Sequence, residues 1–153
     1  MKEILLVEDT DADAQLVERT LKRVGVANPV RRLRNGVEAL AYLDKAAATA
    51  AIAAAAPSIL LLDLKMPLMT GFEVLEWLQG RAEFEKMLRV VLSQLDDNRS
   101  LQRAYTLGAH SFLIKPVGDA DLRNLIEGFP GYWTFSGKAG MRAARMPTAL
   151  QIK

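Results

Sequence analysis

Five short apolar runs alternate along the chain with five amphipathic stretches, and this alternation limits the possible folds more than any other feature. The apolar runs, at residues 4–7, 30–33, 58–62, 89–92 and 111–114, have the length of strands. The stretches between and after them have the apolar spacing of helices and are expected at 10–25, 35–48, 71–80, 97–109 and 118–129. Thr10 is expected to cap the first of these helices. Strict alternation of this kind predicts an α/β protein with a parallel sheet covered by helices.

Five strands and five helices match the flavodoxin-like doubly wound fold, with the strand order 2-1-3-4-5. We expect one domain over residues 1–127 and a C-terminal extension over 128–153. An alanine-rich stretch, "AAATAAIAAAAP" at 46–57, either extends the second helix or forms a mobile loop, and the sequence leaves both open.

Composition excludes several classes of protein. The 153 residues are 50% apolar and 25% charged and include no cysteine, so disulfides and thiolate metal sites are ruled out. No apolar run approaches the length of a membrane span or forms a signal peptide, which predicts a cytoplasmic protein. Residues 1–127 hold 16 basic and all 18 acidic side chains, while 128–153 hold four basic ones and no acid. The basic tail therefore accounts for the pI near 9.0, and DNA binding is not expected.

Polar side chains follow four of the predicted strands. They are Glu8 and Asp9, Asp63, Ser93 and Lys115. The carboxyl ends of parallel strands meet at one edge of the sheet, so these side chains should lie together. Neighbouring carboxylates repel one another unless a cation neutralises them, and hard oxygen ligands suit Mg²⁺. A metal-bound acid beside an ammonium and a hydroxyl predicts a site for a phosphoryl group.

The motifs "LLVEDTDAD", "LLLDLKMPLMTGFEVL", "VVLSQ" and "GAHSFLIKPV" occur in an order that resembles the receiver domains of two-component response regulators. The resemblance covers about residues 3–127. It implies that Asp63 is the phosphoacceptor and that Mg²⁺ is bound by Asp9, Asp63, the main-chain carbonyl of Lys65 and, through water, Glu8. It thus implies a signalling module rather than an enzyme.

The same resemblance assigns a switch. It implies that Ser93 and Lys115 contact the phosphoryl group, that Phe112 turns inward on activation, and that the bond before Pro116 is cis. Phe112 replaces a tyrosine that many receivers have, and it lacks the hydroxyl. The only histidine, His110, is expected to be a loop residue, because a receiver takes its phosphoryl group from a histidine on another protein.

The extension holds four aromatic side chains in "EGFPGYWTFSGKAGM", and we interpret them as an interaction patch. The patch could pack on its own domain or exchange with a second copy; its residues are Phe129, Tyr132, Trp133 and Phe135. The basic end of the chain is expected to be disordered. Too few residues follow the fifth helix to form a DNA-binding domain, so output through a downstream protein partner is expected.

The ending, the start "VEDTDADAQLV" and the long second-helix insertion are similar to single-domain receivers that partner bacterial phytochrome histidine kinases. This similarity implies a sensor histidine kinase as partner and a homodimer.

Two alternative functions stay open. One is a receiver-like interaction module without phosphorylation, suggested by the large Gln94 beside Ser93. The other is a haloacid-dehalogenase-type phosphatase, with Asp9 as nucleophile and Asp11 as acid/base, although no second acidic pair follows a later strand.

Overall fold

In the computed structural model, which describes residues 2–48, 57–94 and 98–137, five parallel strands form one sheet with helices on both faces. The strands are β1 (Ile4–Val7), β2 (Val30–Leu33), β3 (Ile59–Asp63), β4 (Leu88–Ser93) and β5 (Ser111–Ile114). The helices are α1 (Asp11–Arg23), α2 (Gly36–Ala48), α3 (Gly71–Leu78), α4 (Asn98–Thr106) and α5 (Asp119–Gly128), with a 3₁₀ turn at Ala82–Phe84. The sheet order is β2-β1-β3-β4-β5, which confirms the predicted flavodoxin-like topology.

β1 and the first four residues of β3 are apolar because helices cover both faces of the sheet. Leu5 and Leu60 point into a core formed with α2, α3 and α4, whereas Leu6 and Leu61 point into a second core formed with α1 and α5. All four side chains are fully buried. The alternation of side chains along each strand thus distributes one apolar run between two cores.

The strand ends differ slightly from the prediction. Asp63 and Ser93 were expected just after their strands, but each is the last residue of its strand, since Asp63 pairs with Leu92 and Ser93 with Ile114. Both side chains are therefore held by ladder pairing rather than by a loop. Register also aligns Val7 with Leu62, so the polar residues that follow β1 emerge level with the end of β3.

Helix ends show one wrong prediction. Thr10 precedes α1 but its side chain makes no capping bond, and its main-chain N–H instead donates to Glu8 Oε1 at 3.2 Å. The geometry reflects the tight link between β1 and α1. Asn35 caps α2, with Oδ1 accepting from the N–H of Glu38 at 2.9 Å. Of the alanine-rich stretch, 46–48 belong to α2, and 49–56 lie outside the described residues.

The segment after α5 folds back on its own domain. Phe129, Tyr132, Trp133 and Phe135 pack partly buried against the core that α1 and α5 share. Main-chain bonds attach the segment to the α1–β2 link, with an isolated antiparallel bridge between Val26 and Phe135. Of the two arrangements that the sequence left open, this chain has the first. The predicted disordered end falls within 138–153, outside the described residues, and the boundary at 127/128 stays a prediction.

Candidate functional site

The carboxyl ends of the strands enclose a polar cavity of about 210 Å³. β1, β3, β4 and β5 deliver to this edge the polar residues that the sequence analysis selected. The cavity is lined by Asp9, Thr10, Asp63, Leu64, Lys65, Leu92, Ser93, Gln94, Ser100 and Lys115. Gln94 is exposed and is one of these lining residues.

Three carboxylates converge inside this edge. Glu8 is fully buried and Asp63 is 4% exposed, while Asp9 is half-buried. Each offers an oxygen that lies within 4.8 Å of the other two. Desolvation raises the pKa of Glu8 to about 7, and it also raises the pKa of Asp63. The protein therefore holds these acids together at a cost that a bound cation would relieve.

The acid cluster fits a divalent cation. Oε2 of Glu8 is buried and makes no well-directed hydrogen bond, although an ammonium lies 2.6 Å away. Carboxylate oxygens and a neighbouring main-chain carbonyl, that of Lys65, are the hard donors that Mg²⁺ prefers. A buried carboxylate oxygen with two further acids close by is a donor set that suits a divalent cation.

Lys115 supplies the positive charge of the site. Its side chain is only 7% exposed, and Nζ lies 2.6 Å from Glu8 Oε2 and 3.2 Å from Asp63 Oδ2. Burial alone would lower the pKa of Lys115, but close contact with Glu8 and the charge of Asp63 outweigh burial and raise it. The ammonium is thus held protonated beside the carboxylate of Asp63.

The carboxylate of Asp63 is held in a defined orientation. Oδ1 accepts a hydrogen bond from the N–H of Lys65 at 3.1 Å, and Oδ2 faces the ammonium of Lys115. The start of α3 comes close behind it, because a Cβ on Gly71 would lie 2.5 Å from the Asp63 carbonyl oxygen. One carboxylate oxygen therefore has a fixed donor and the other faces the cationic side of the cavity.

The remaining predicted residues surround this centre. Ser93 is 7% exposed, and its carbonyl accepts from the N–H of Lys115 at 2.7 Å, which ties the ends of β4 and β5 together. The Lys115–Pro116 bond is cis. Phe112 is partly buried and meets Tyr105 of α4 edge-on, with ring centroids 6.4 Å apart. Tyr105 is 44% exposed, so this pair connects the core on which Phe112 packs with the surface.

The predicted aromatic patch lies elsewhere. Tyr132 donates from its hydroxyl to the carbonyl of Lys86, which precedes β4, and Lys2 before β1 donates to the carbonyl of Gly131. These contacts lie at the amino ends of the strands. The aromatic segment is therefore at the end of the sheet opposite the cavity.

Sequence reasoning missed two residues of the site. Asp13 was not selected as a site residue, but its Oδ2 lies 3.3 Å from the ammonium of Lys115. Its position in the first turn of α1 gave no sign of a contact with β5. Arg32 of β2 donates through Nε and Nη2 to the carbonyl of Glu8, at 2.9 and 2.7 Å. No local pattern in "VRRL" distinguishes that arginine from its neighbour.

Asp11 does not take the acid/base place that the phosphatase hypothesis requires. Its Oδ1 accepts from Nη1 of Arg32 at 2.6 Å and from Nη1 of Arg34 at 3.0 Å, and its side chain is 61% exposed. These ion pairs lower its pKa. Asp11 is thus engaged outside the cavity, and the arrangement argues against that alternative.

Comparison with known proteins gives a family. The response regulator receiver domain profile matches residues 4–127. Among curated relatives, the chain is 35% identical to "Probable methanogenesis regulatory protein FilR2" of Methanothrix harundinacea, over 85% of this chain and 82% of that protein. It is 30% identical to "Response regulator Rcp1" of Synechocystis, over 86% of this chain and 88% of that protein.

Solved structures of known proteins indicate the same family. The bacteriophytochrome response regulator AtBRR is 34% identical, with a TM-score of 0.71, over 83% of this chain and 91% of its own. The bacteriophytochrome response regulator RtBRR is 30% identical, with a TM-score of 0.74, over 95% and 89%. The Mn²⁺-bound form of Rcp1 is 30% identical, with a TM-score of 0.68, over 90% and 100%.

Proposed function

This chain belongs to the response regulator receiver domain family, and on that basis we propose that it accepts a phosphoryl group on Asp63 and signals through protein contacts. Phosphorylation of an aspartate with Mg²⁺ is general behaviour of the family, and the chain is homologous to single-domain phytochrome response regulators. The proposal assigns the acceptor role to Asp63, the metal to Glu8, Asp9, Asp63 and the Lys65 carbonyl, and the phosphoryl contacts to Ser93 and Lys115.

The observation that carries the proposal is the setting of Asp63. Its carboxylate is 4% exposed, faces a polar cavity and lies 3.2 Å from the ammonium of Lys115. Two further acids contribute oxygens within 4.8 Å. A buried carboxylate in these surroundings is costly unless a cation or a reaction uses it.

Each side chain has a defined part in the transfer. A carboxylate oxygen of Asp63 forms a bond to phosphorus while the bond from phosphorus to the histidine nitrogen of the phosphodonor breaks. The leaving nitrogen keeps the electron pair of that bond and takes up a proton. Lys115 stabilises the negative charge on the phosphoryl oxygens, and the Ser93 hydroxyl donates to one of them. Mg²⁺ bound at the acid cluster would supply further charge neutralisation for the same oxygens.

The response is a shift in population between two conformations. When Ser93 moves toward the phosphoryl group it vacates space at the end of β4, and Phe112 turns inward. Phe112 packs edge-on against Tyr105, so its movement changes an exposed part of the α4 surface. Output through this surface requires a downstream protein partner.

The proposed phosphodonor is a phosphohistidine on a sensor histidine kinase, and the proposed location of this chain is the cytoplasm. Similarity to Rcp1 and to two bacteriophytochrome response regulators supports a phytochrome as that kinase. In the described ranges, no helix is long and apolar enough to cross a membrane. The homodimer implied by the sequence resemblance is part of the proposal, and sedimentation equilibrium on the full chain tests it.

Intact-mass spectrometry tests the acceptor. The protein is incubated with Mg²⁺ and a small phosphodonor, alongside Asp63→Asn and the matched surface variant Asp11→Asn. We expect wild type and Asp11→Asn to gain one phosphoryl group that hydroxylamine removes, as an acyl phosphate requires, and Asp63→Asn to gain none. Labelling of Asp63→Asn would move the acceptor to another acid, and no labelling of any protein would favour an unphosphorylated interaction module.

A further inference from the structure

Lys115 has a third carboxylate partner, on an element that does not bear the proposed acceptor or metal ligands. Asp13 lies in the first turn of α1, and its side chain is 30% exposed. Its Oδ2 accepts a hydrogen bond from Nζ of Lys115 at 3.3 Å, across 102 residues of sequence. The ammonium is therefore shared among Asp13, Glu8 and Asp63.

The three partners are not equivalent. Glu8 and Asp63 belong to the group of acids that share a centre with Asp9, whereas Asp13 is not among those acids. A cation at that centre would neutralise the grouped acids and leave Asp13 with Lys115 as its compensating charge. Three carboxylates already lie within 3.3 Å of the ammonium, so a phosphoryl group that binds Lys115 competes with them for its positive charge and its three N–H donors.

Asp13 is also the most exposed of the three partners. Glu8 is fully buried and Asp63 is 6% exposed at its side chain, against 30% for Asp13. Water can solvate Asp13 when the ammonium leaves it, whereas Glu8 and Asp63 have little access to water. Asp13 is thus the partner that Lys115 can leave at the lowest cost.

We propose that Asp13 is a positioning residue that holds the ammonium of Lys115 while the phosphoryl site is empty and competes with the phosphoryl group for it. This inference rests on the proposed function. It predicts that the charge of Asp13 lowers the affinity of the site for a phosphoryl-like anion, both by holding Lys115 and by repelling the anion. Asp13 therefore shifts the balance toward the unphosphorylated conformation.

Asp11 provides a matched control. It lies in the same turn of α1 and carries the same charge, but its carboxylate pairs with Arg32 and Arg34 rather than with Lys115. Asp11→Asn removes the same charge from the same helix end and leaves the contact with Lys115 in place. A difference in anion affinity between Asp13→Asn and Asp11→Asn thus separates the effect of the contact with Lys115 from the effect of the lost charge.

Titration calorimetry with beryllofluoride, which mimics a phosphoryl group on a carboxylate, tests the inference on the full chain at saturating Mg²⁺. We expect Asp13→Asn to bind beryllofluoride about threefold more tightly than wild type, which is the size expected for a partly exposed ion pair. Asp13→Glu should restore wild-type affinity, and Asp11→Asn should leave it unchanged. Mg²⁺ alone should bind Asp13→Asn no more tightly than wild type, because a negative charge has been lost.

The outcomes separate this inference from the function it rests on. If wild type fails to bind beryllofluoride, or Asp63→Asn binds it equally well, the proposed acceptor is wrong. If binding depends on Asp63 but Asp13→Asn binds the anion equally or less tightly, the role of Asp13 is overturned. Should Asp13→Asn lose its cooperative thermal transition, Asp13→Ser takes its place in the same comparison. Equal tightening in Asp11→Asn would show a charge effect without the contact, and would also overturn the inference.

Discussion

At Glu8, burial and the neighbouring ammonium of Lys115 have opposite effects on the pKa, since burial raises it and the ammonium lowers it. Glu8 is fully buried beside Asp63, and desolvation raises its pKa to about 7 even though Lys115 lies 2.6 Å away. The raised pKa brings the titration of Glu8 from the acid range to near neutral pH. A cation that binds to this cluster must displace any proton on Glu8.

The Mg²⁺ affinity of the protein should consequently depend on pH. Because the folded-state pKa of Glu8 is raised, the proton is bound below pH 7 and lost above it, so affinity should rise with pH and then level off. We expect a gain of about tenfold between pH 6 and pH 8, as for displacement of one proton. Titration calorimetry at several pH values measures it.

Glu8→Gln is the control for this titration. It should bind Mg²⁺ more weakly at pH 8 because a negative charge is lost, and its affinity should vary little between pH 6 and pH 8. An equally steep pH dependence in Glu8→Gln would assign the proton to another group.

Among the elements, the start of α3 is fixed most closely to the site. Thr70 caps the helix by accepting from the N–H of Glu73 at 3.3 Å, and the N–H of Gly71 donates to the carbonyl of Leu64 at 3.1 Å. Gly71 has no side chain to keep the helix away from the end of β3. The close approach holds the loop that carries Lys65 against the acceptor.

Gly71→Ala should therefore disturb both stability and phosphorylation. A Cβ there would lie 2.5 Å from the Asp63 carbonyl oxygen and 2.9 Å from Leu64 Cα, and backbone atoms cannot rotate away as a side chain can. We expect the free energy of unfolding to fall by about 2–3 kcal/mol. Urea unfolding followed by circular dichroism measures the loss, and mass spectrometry measures slower labelling of Asp63.

Gly128→Ala is the matched control for this substitution. A Cβ on Gly128, the last residue of α5, would have no atom within 4 Å, so the free energy of unfolding should change by less than about 0.5 kcal/mol. A neutral Gly71→Ala would show that α3 can move away from β3 at little cost.

At the scale of the whole molecule, the C-terminal segment covers the end of the sheet opposite the cavity. Asn28, which is 5% exposed, makes three side-chain hydrogen bonds, and two of them attach this segment. Its Nδ2 donates to the carbonyls of Lys2 and Tyr132 at 2.7 and 3.0 Å, and its Oδ1 accepts from the N–H of Thr134 at 2.7 Å. One side chain thus joins both ends of the described chain to the α1–β2 link.

Asn28→Ala should loosen this segment without affecting the site. We expect the free energy of unfolding to fall by about 2–3 kcal/mol, because two carbonyls and one N–H lose a buried partner. Chymotrypsin should cleave faster near Tyr132 and Trp133, while labelling of Asp63 should proceed at the wild-type rate. Asn124→Ala, at an exposed position of α5, should change neither the free energy of unfolding nor the rate of chymotrypsin cleavage. Slower labelling of Asp63 in Asn28→Ala would show that the two ends are coupled.

Local pattern in the sequence determined the elements, their order and the type of chemistry at the strand ends. Apolar runs and helical spacing are properties of neighbouring residues, and parallel pairing then brings Glu8, Asp63 and Lys115 to one edge. The strand ends were less predictable. Asp63 and Ser93 extend their strands because partners on the next strand continue the ladder, and no local signal reports that pairing.

Only the tertiary structure decided the contacts between distant segments. Asp13 meets Lys115 across 102 residues, and Asn28 meets Thr134 across 106. The bond from Arg32 to Glu8 likewise exists only because β2 pairs with β1. An exposed acid, a loop asparagine and a strand arginine look ordinary in sequence, since their partners are set by how the chain closes. The sequence by itself therefore determined which functional groups lie at the carboxyl edge of the sheet. The tertiary fold decided which other side chains hold those groups in place.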